Sequence, residues 1–406
     1  MKNSPNIIFN KQFNIALFFF LISAFYGWLM RLQHVVDIPY FEYAHFIQAH
    51  SHVTFLGWGF LGVSSLIRNL FLPQSLENST YKLLFYLMVG SLFGLLISFP
   101  LQGYHFFSIL FLSVFLLTSY VYLAKIYIEL RSIKALSSRF VKTGIFYYYV
   151  SSLAIWMVAF VTLHYGKNDL YHNTIYFYLH FLYNGFFVLV LFGLLIRYFE
   201  KQEKPIDSRY VTKFYQFTNW AVIPAYALSL LWSTMPSYVV GIGFVAVGLQ
   251  LISVYYLVKM IKSMQWVYEN RLIKILAQTV FVSYVLKISL QFLSAFPQVT
   301  VVAVQYKSYF VIGYIHLFTL GFMSLFIFLL AYFQVGARLS KTGISLLLLG
   351  IIISEFLLFL QGILYYISGY KMSNFAEILM LVSLFMPVGL LIILIRSAFK
   401  KVADPI

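Results

Sequence analysis

Hydrophobic residues run along this chain in long blocks rather than in short alternation. Apolar stretches of 20 or more residues recur from end to end, each long enough to cross a bilayer core of roughly 30 Å. They fall at about 13–32, 45–68, 81–101, 104–126, 143–165, 172–196, 214–234, 236–258, 272–296, 308–334, 342–367 and 377–396. A backbone in lipid has no water to bond, so each block must satisfy its own N–H and C=O groups as a helix. Runs this long without alternation argue against strands. The pattern predicts an all-α polytopic membrane protein of twelve transmembrane helices, forming a single membrane domain over residues 1–406. The first block follows a short basic start (Lys2, Lys11) without a small-x-small cleavage site, and is read as a retained helix rather than a removed signal peptide. The longest polar segments, 127–142 and 197–213, read as connecting loops.

Charge fixes an orientation for these helices. The chain is 62% hydrophobic and 10% charged, with a net charge of +16. Such an excess in a soluble protein points to nucleic acid, but here the basic residues sit between apolar blocks. With the N-terminus inside, the cytoplasmic ends and loops hold 23 of the 28 Lys and Arg residues. The opposite side holds Arg31, Lys167, Lys307 and Lys371, and Lys287 lies within a span. This asymmetry predicts both termini in the cytoplasm. It assigns the lipid bilayer, not nucleic acid, as the partner, and places the chain in a bacterial cytoplasmic membrane. There is no cysteine. Disulfides, thiolate metal sites, iron–sulfur clusters and Cys-x-x-Cys-His haem attachment are therefore excluded.

All nine histidines fall on the outer half. Interfacial amphipathic placement accounts for His34, His105, His164 and His172. It accounts less well for His52, His180 and His316, about two turns deep, where an imidazole is costly unless paired or bound. Those three share a pattern: His, four residues, then Gly57-Trp58, Gly185-Phe186 or Gly321-Phe322. They lie on the second, sixth and tenth spans at intervals of 128 and 136 residues. The spacing predicts pseudo-threefold four-helix repeats over about 1–127, 143–259 and 272–397. Glycine permits close approach of a helix or a flat ligand, and a neutral imidazole is a suitable axial ligand for iron. Two further ionisable groups lie within spans: Lys287 on the ninth and Glu355 on the eleventh. Both are expected to face the bundle interior.

At these residues the sequence resembles the haem–copper oxidase superfamily, including the nitric oxide reductases, and the twelve-helix haem–copper proteins of the NnrS type. Gln48-Ala49-His50-Ser51-His52 followed by Gly57-Trp58 is similar to the His-x-His patterns of the superfamily. His180 with Asn184-Gly185-Phe186 looks like a reductase stretch with Asn in place of Glu, and Tyr314-Ile315-His316 looks like a His-x-His with Tyr first. The resemblance implies a haem b ligated by His52 and His316, with His50 and Tyr314 as neighbouring candidates. His180 could still bind a second metal with His172, His164 or His105, at a site atypical of the family. The seventh span, Thr218 to Tyr226, lacks the family's paired histidines. The copper site and the binuclear centre are therefore incomplete, and whether the chain is an enzyme is left open.

The function expected is that of a haem-binding membrane protein resembling the haem–copper oxidase catalytic subunit. It would serve respiratory electron transfer, nitric-oxide response or oxidase biogenesis, with other respiratory subunits as partners. Two alternatives stand beside it. One is a bundle whose deep histidines only hydrogen-bond between helices. The other is a cofactor-free twelve-helix transporter, whose common two-half form would show sixfold rather than fourfold repetition.

Overall fold

The computed structural model describes residues 5–399 except 205, 265, 267, 269 and 336–338. Lys2 lies outside them. Every regular element among the described residues is helical. The helices are α1 (Pro5–Leu32), α2 (Tyr43–His52, continuing through Val53–Phe60 and Leu61–Phe71), α3 (Ser79–Gln102), α4 (Phe106–Leu130), α5 (Leu136–Tyr165) and α6 (Asp169–His180, Phe181–Phe187, Val188–Lys201). They continue with α7 (Ser208–Val222, then a 3₁₀ stretch Pro224–Leu230), α8 (Ser237–Ser263), α9 (Arg271–Ser294), α10 (Phe310–His316, Leu317–Ser324, Leu325–Val335), α11 (Lys341–Ser368) and α12 (Phe375–Ser383, Phe385–Phe399).

Ten of these helices are long and apolar enough to cross a membrane. The two outside that measure are α2 and α7. The N-terminal turns of α2 carry Gln48, His50, Ser51 and His52, and α7 breaks at Pro224, because proline lacks an N–H and its ring clashes with the preceding turn. The two polar segments read as loops are shorter connections than expected. α4 runs to Leu130 and α5 begins at Leu136, while α6 runs to Lys201 and α7 begins at Ser208. Basic and acidic side chains extend these helices beyond their apolar blocks; Ser137, read as loop, is buried in α5 and donates to Glu200. A short helix, Pro297–Gln305, also lies between α9 and α10 where the pattern showed only a connection.

The chain divides into two compact units. Unit 1 comprises residues 1–129 and 327–406, and unit 2 comprises residues 130–326. In unit 1, α11 and α12 meet at Gly343 and Gly389, where a Cβ on either would lie 2.6–2.7 Å from the other's carbonyl oxygen. In unit 2, α7 and α8 are joined by the Thr218–Ser253 hydroxyl pair (2.6 Å).

Candidate functional site

The three His-x4-Gly-aromatic stretches fold alike. His52, His180 and His316 are each the last α-helical residue before a π-helical segment: Val53–Phe60, Phe181–Phe187 and Leu317–Ser324. Such segments are rare and cluster at functional sites. Within each, the motif glycine meets the preceding helix. A Cβ on Gly57 would lie 2.7 Å from Phe19 Cβ on α1. On Gly185 it would lie 2.5 Å from Tyr147 Cβ on α5, and on Gly321 2.7 Å from Ser283 Oγ on α9. The next residue in each motif then packs on the next residue of that helix. Trp58 stacks on Phe20 (4.7 Å, 8°), Phe186 meets Tyr148 (5.2 Å) and Phe322 meets Tyr284 (5.1 Å). Phe19, Tyr147 and Ser283 are themselves separated by 128 and 136 residues. The glycines thus serve helix–helix approach, and the space each leaves is filled by protein rather than offered to a flat ligand.

In unit 1 the two α2 histidines point to different neighbours. His52 Nδ1 donates to the Gln48 carbonyl (2.8 Å), and its Nε2 accepts from the Tyr104 hydroxyl (3.0 Å). Its ring lies 4.8 Å from that of Phe99. His50 Nδ1 donates to the Ser23 carbonyl on α1 (2.8 Å), and its ring is seated against Gly27. A carbonyl oxygen can only accept, so both imidazoles carry their proton on Nδ1 and keep the Nε2 lone pair. A ring nitrogen anchored on a backbone carbonyl with the other left basic is how metal-binding histidines are held. Both residues therefore fit an axial-ligand role, Tyr104 being the group that His52 would exchange. Deeper in unit 1, Arg31 donates to Ser383 and lies within electrostatic reach of Glu355 and His50. Glu355 is 7% exposed.

In unit 2 His180 sits in a closed polar chain. Pro224 tightens α7 so that Tyr226 N bonds to the Ile223 carbonyl instead of that of Val222. His180 Nε2 donates to the Val222 carbonyl (2.7 Å). Its Nδ1 accepts from Asn184 Nδ2 (3.2 Å), and Asn184 Oδ1 accepts from Lys287 Nζ. All three residues are at most 7% exposed. Both ring nitrogens are engaged, so the His180 site does not fit a metal without breaking this chain. His172 is not brought to it: eight residues along α6 is a rise of about 12 Å, and the exposed His172 ring lies against Trp232 (5.6 Å). Among the described residues no three His, Asp or Glu side chains are grouped to hold a metal ion.

His316 is half-buried on α10 in unit 2, with Tyr314 two residues before it on the same helix. Tyr314 lies within electrostatic reach of Tyr183, whose ring stacks on Phe318 (4.6 Å). His34, His105, His164 and His172 are exposed, His45, His50, His52 and His316 half-buried, and His180 buried. Tyr104 and Ser23, which complete the His52 and His50 environments, carry no sequence signal of their own. Asn184 did carry one, standing where the resembling stretch has Glu. No family model matches this chain, and no curated protein matches it.

Proposed function

We propose that this chain is a haem-b-binding integral membrane protein related to the haem–copper oxidase catalytic subunit, without a complete binuclear centre. The observation that carries this reading is the threefold recurrence of one local arrangement: a histidine, a π-helical turn, and a glycine–aromatic pair packed on the preceding helix. It supports three four-helix repeats and twelve spans, and the asymmetry of Lys and Arg between the spans supports both termini inside. Repetition every fourth helix separates the reading from a two-half transporter. His52, with His50 as its rival on α2, and His316 are each proposed as residues that would hold haem iron. A haem held there passes single electrons. The chain's own part is to fix the ligating nitrogen, as the Gln48 carbonyl does for His52, and to bury the site in aromatic packing. The proposed setting is respiratory electron transfer, nitric-oxide response or oxidase biogenesis in a bacterial cytoplasmic membrane.

A Soret band and a reduced α-band in the purified protein are the expected results. A colourless, well-folded preparation from haem-replete cells would leave the transporter reading. Oxygen consumption at terminal-oxidase rates is not expected, because α7 carries no histidine to complete a copper site; such rates with a suitable electron donor would overturn the incomplete-centre assignment. The orientation is tested at the α4–α5 connection, where Lys134 is exposed. Lys134→Cys should resist impermeant thiol reagents in intact cells and react after permeabilisation. Ready labelling of intact cells would invert the topology and put the histidines on the wrong side.

A further inference from the structure

Lys287 is 2% exposed, and no carboxylate among the described residues lies within ion-pair distance of it. Its amine bonds Asn184 and sits 5.8 and 6.0 Å from the rings of Tyr284 and Phe318. Aromatic faces tolerate a cation, but an uncompensated buried charge remains expensive. The intervals that relate the three motifs place Lys287 in register with Ser23 and Ser151. Two repeats therefore carry a small hydroxyl where the third carries an amine.

We infer that Lys287 supplies, beside His180, the positive charge that a second metal would supply, and that the His180 position is thereby closed to metal. Two features act together. The one lone pair of the imidazole, on Nδ1, accepts from Asn184, so a metal there must displace an amide that is itself tied to Lys287. The amine, one side chain away through Asn184, repels any cation that approaches Nδ1. α7 has no histidine between Thr218 and Tyr226 to offset this repulsion. The inference takes from the proposed relationship only the expectation of a metal beside His180.

The test is a copper(I) titration of the full-length, detergent-purified protein against a chelating competitor. Wild type and His180→Ala should bind the same number of equivalents. Lys287→Met removes the charge and introduces a soft thioether, a ligand type copper(I) prefers. It should gain one equivalent held about tenfold or more tighter than by wild type, since unit charges a few ångströms apart repel strongly in a low dielectric. That equivalent should vanish in the Lys287→Met, His180→Ala double variant. Lys287→Arg keeps the charge and should stay metal-free, and Lys287→Gln serves as a second neutral variant if the Met form does not fold. A tight equivalent in wild type that His180→Ala removes would overturn the inference, as would no gain in the folded neutral variants. A missing Soret band would end the haem reading and leave the result of the titration untouched.

Discussion

On the proposed ligation, alanine at His316 is expected to abolish the six-coordinate haem spectrum, and so is alanine at His52. Bis-imidazole ligation is the most economical way for a cysteine-free chain to hold iron. α10 offers no other histidine, so the His316 variant has no substitute ligand. α2 does offer one, because positions i and i+2 of a helix point about 200° apart, and His50 faces Ser23 while His52 faces Tyr104. The two single variants therefore separate the rivals: a lost α-band in His52→Ala with a retained one in His50→Ala assigns the ligand, and the opposite pattern reassigns it. His180→Ala should keep the low-spin spectrum. Its cost is structural, about 1–3 kcal/mol for leaving the buried Val222 carbonyl without the His180 donor, while Asn184 keeps its bonds to the residue 180 carbonyl and to Lys287. Haem content and the reduced α-band, measured on variants shown to insert and fold, decide the matter. An unchanged low-spin spectrum in His316→Ala ends the assignment.

A methyl group on Gly185 or Gly57 should destabilise the fold by about 2–3 kcal/mol each, the upper part of the usual cost of overpacking. On Gly185 the added carbon meets Tyr147 Cβ at 2.5 Å, and on Gly57 it meets Phe19 Cβ at 2.7 Å. A Cβ cannot rotate away, so α5 or α1 must move as a whole. On Gly321 the obstacle is the Ser283 hydroxyl at 2.7 Å, which can turn, and about 1 kcal/mol is expected. Gly90→Ala on α3 is the control: nothing lies within 4 Å of it, and alanine in a helix is favoured over glycine by about 1 kcal/mol. Thermal melts of the detergent-solubilised protein should rank Gly185→Ala and Gly57→Ala lowest, Gly321→Ala between, and Gly90→Ala at or above wild type. Equal melting of Gly185→Ala and wild type would remove the tight helix contact as the motif's structural role.

The helical class and most helix positions were legible in the linear sequence for a simple reason. A segment in lipid must satisfy its own backbone, so the pattern of apolar length alone specifies a helix. The four histidines read as lying at span ends, His34, His105, His164 and His172, are the exposed ones. The His-x4-Gly-aromatic repeat could be read as a recurrence, but not its meaning. Composition leaves glycine equally suited to a helix or a ligand, and only the positions of Phe19, Tyr147 and Ser283 show that a helix fills the space. Helix ends were misplaced at 127–142 and 197–213 because charged side chains extend a helix past the membrane without leaving an apolar mark.

The sequence by itself determined where the helices run, which end of each is basic, and which residues could bind metal. Tertiary structure alone decided what each deep histidine does. His52 and His180 carry the same motif, yet His52 donates from Nδ1 and accepts from Tyr104 at Nε2, whereas His180 donates from Nε2 and accepts from Asn184 at Nδ1. The difference comes from partners distant in the chain. Pro224 frees the Val222 carbonyl for His180, and Lys287, 103 residues beyond Asn184, completes the chain of bonds. Hydrogen bonds are short-ranged and directional, so the chemistry of an imidazole is set by the atoms that folding brings within about 3 Å of it, and no local pattern records them.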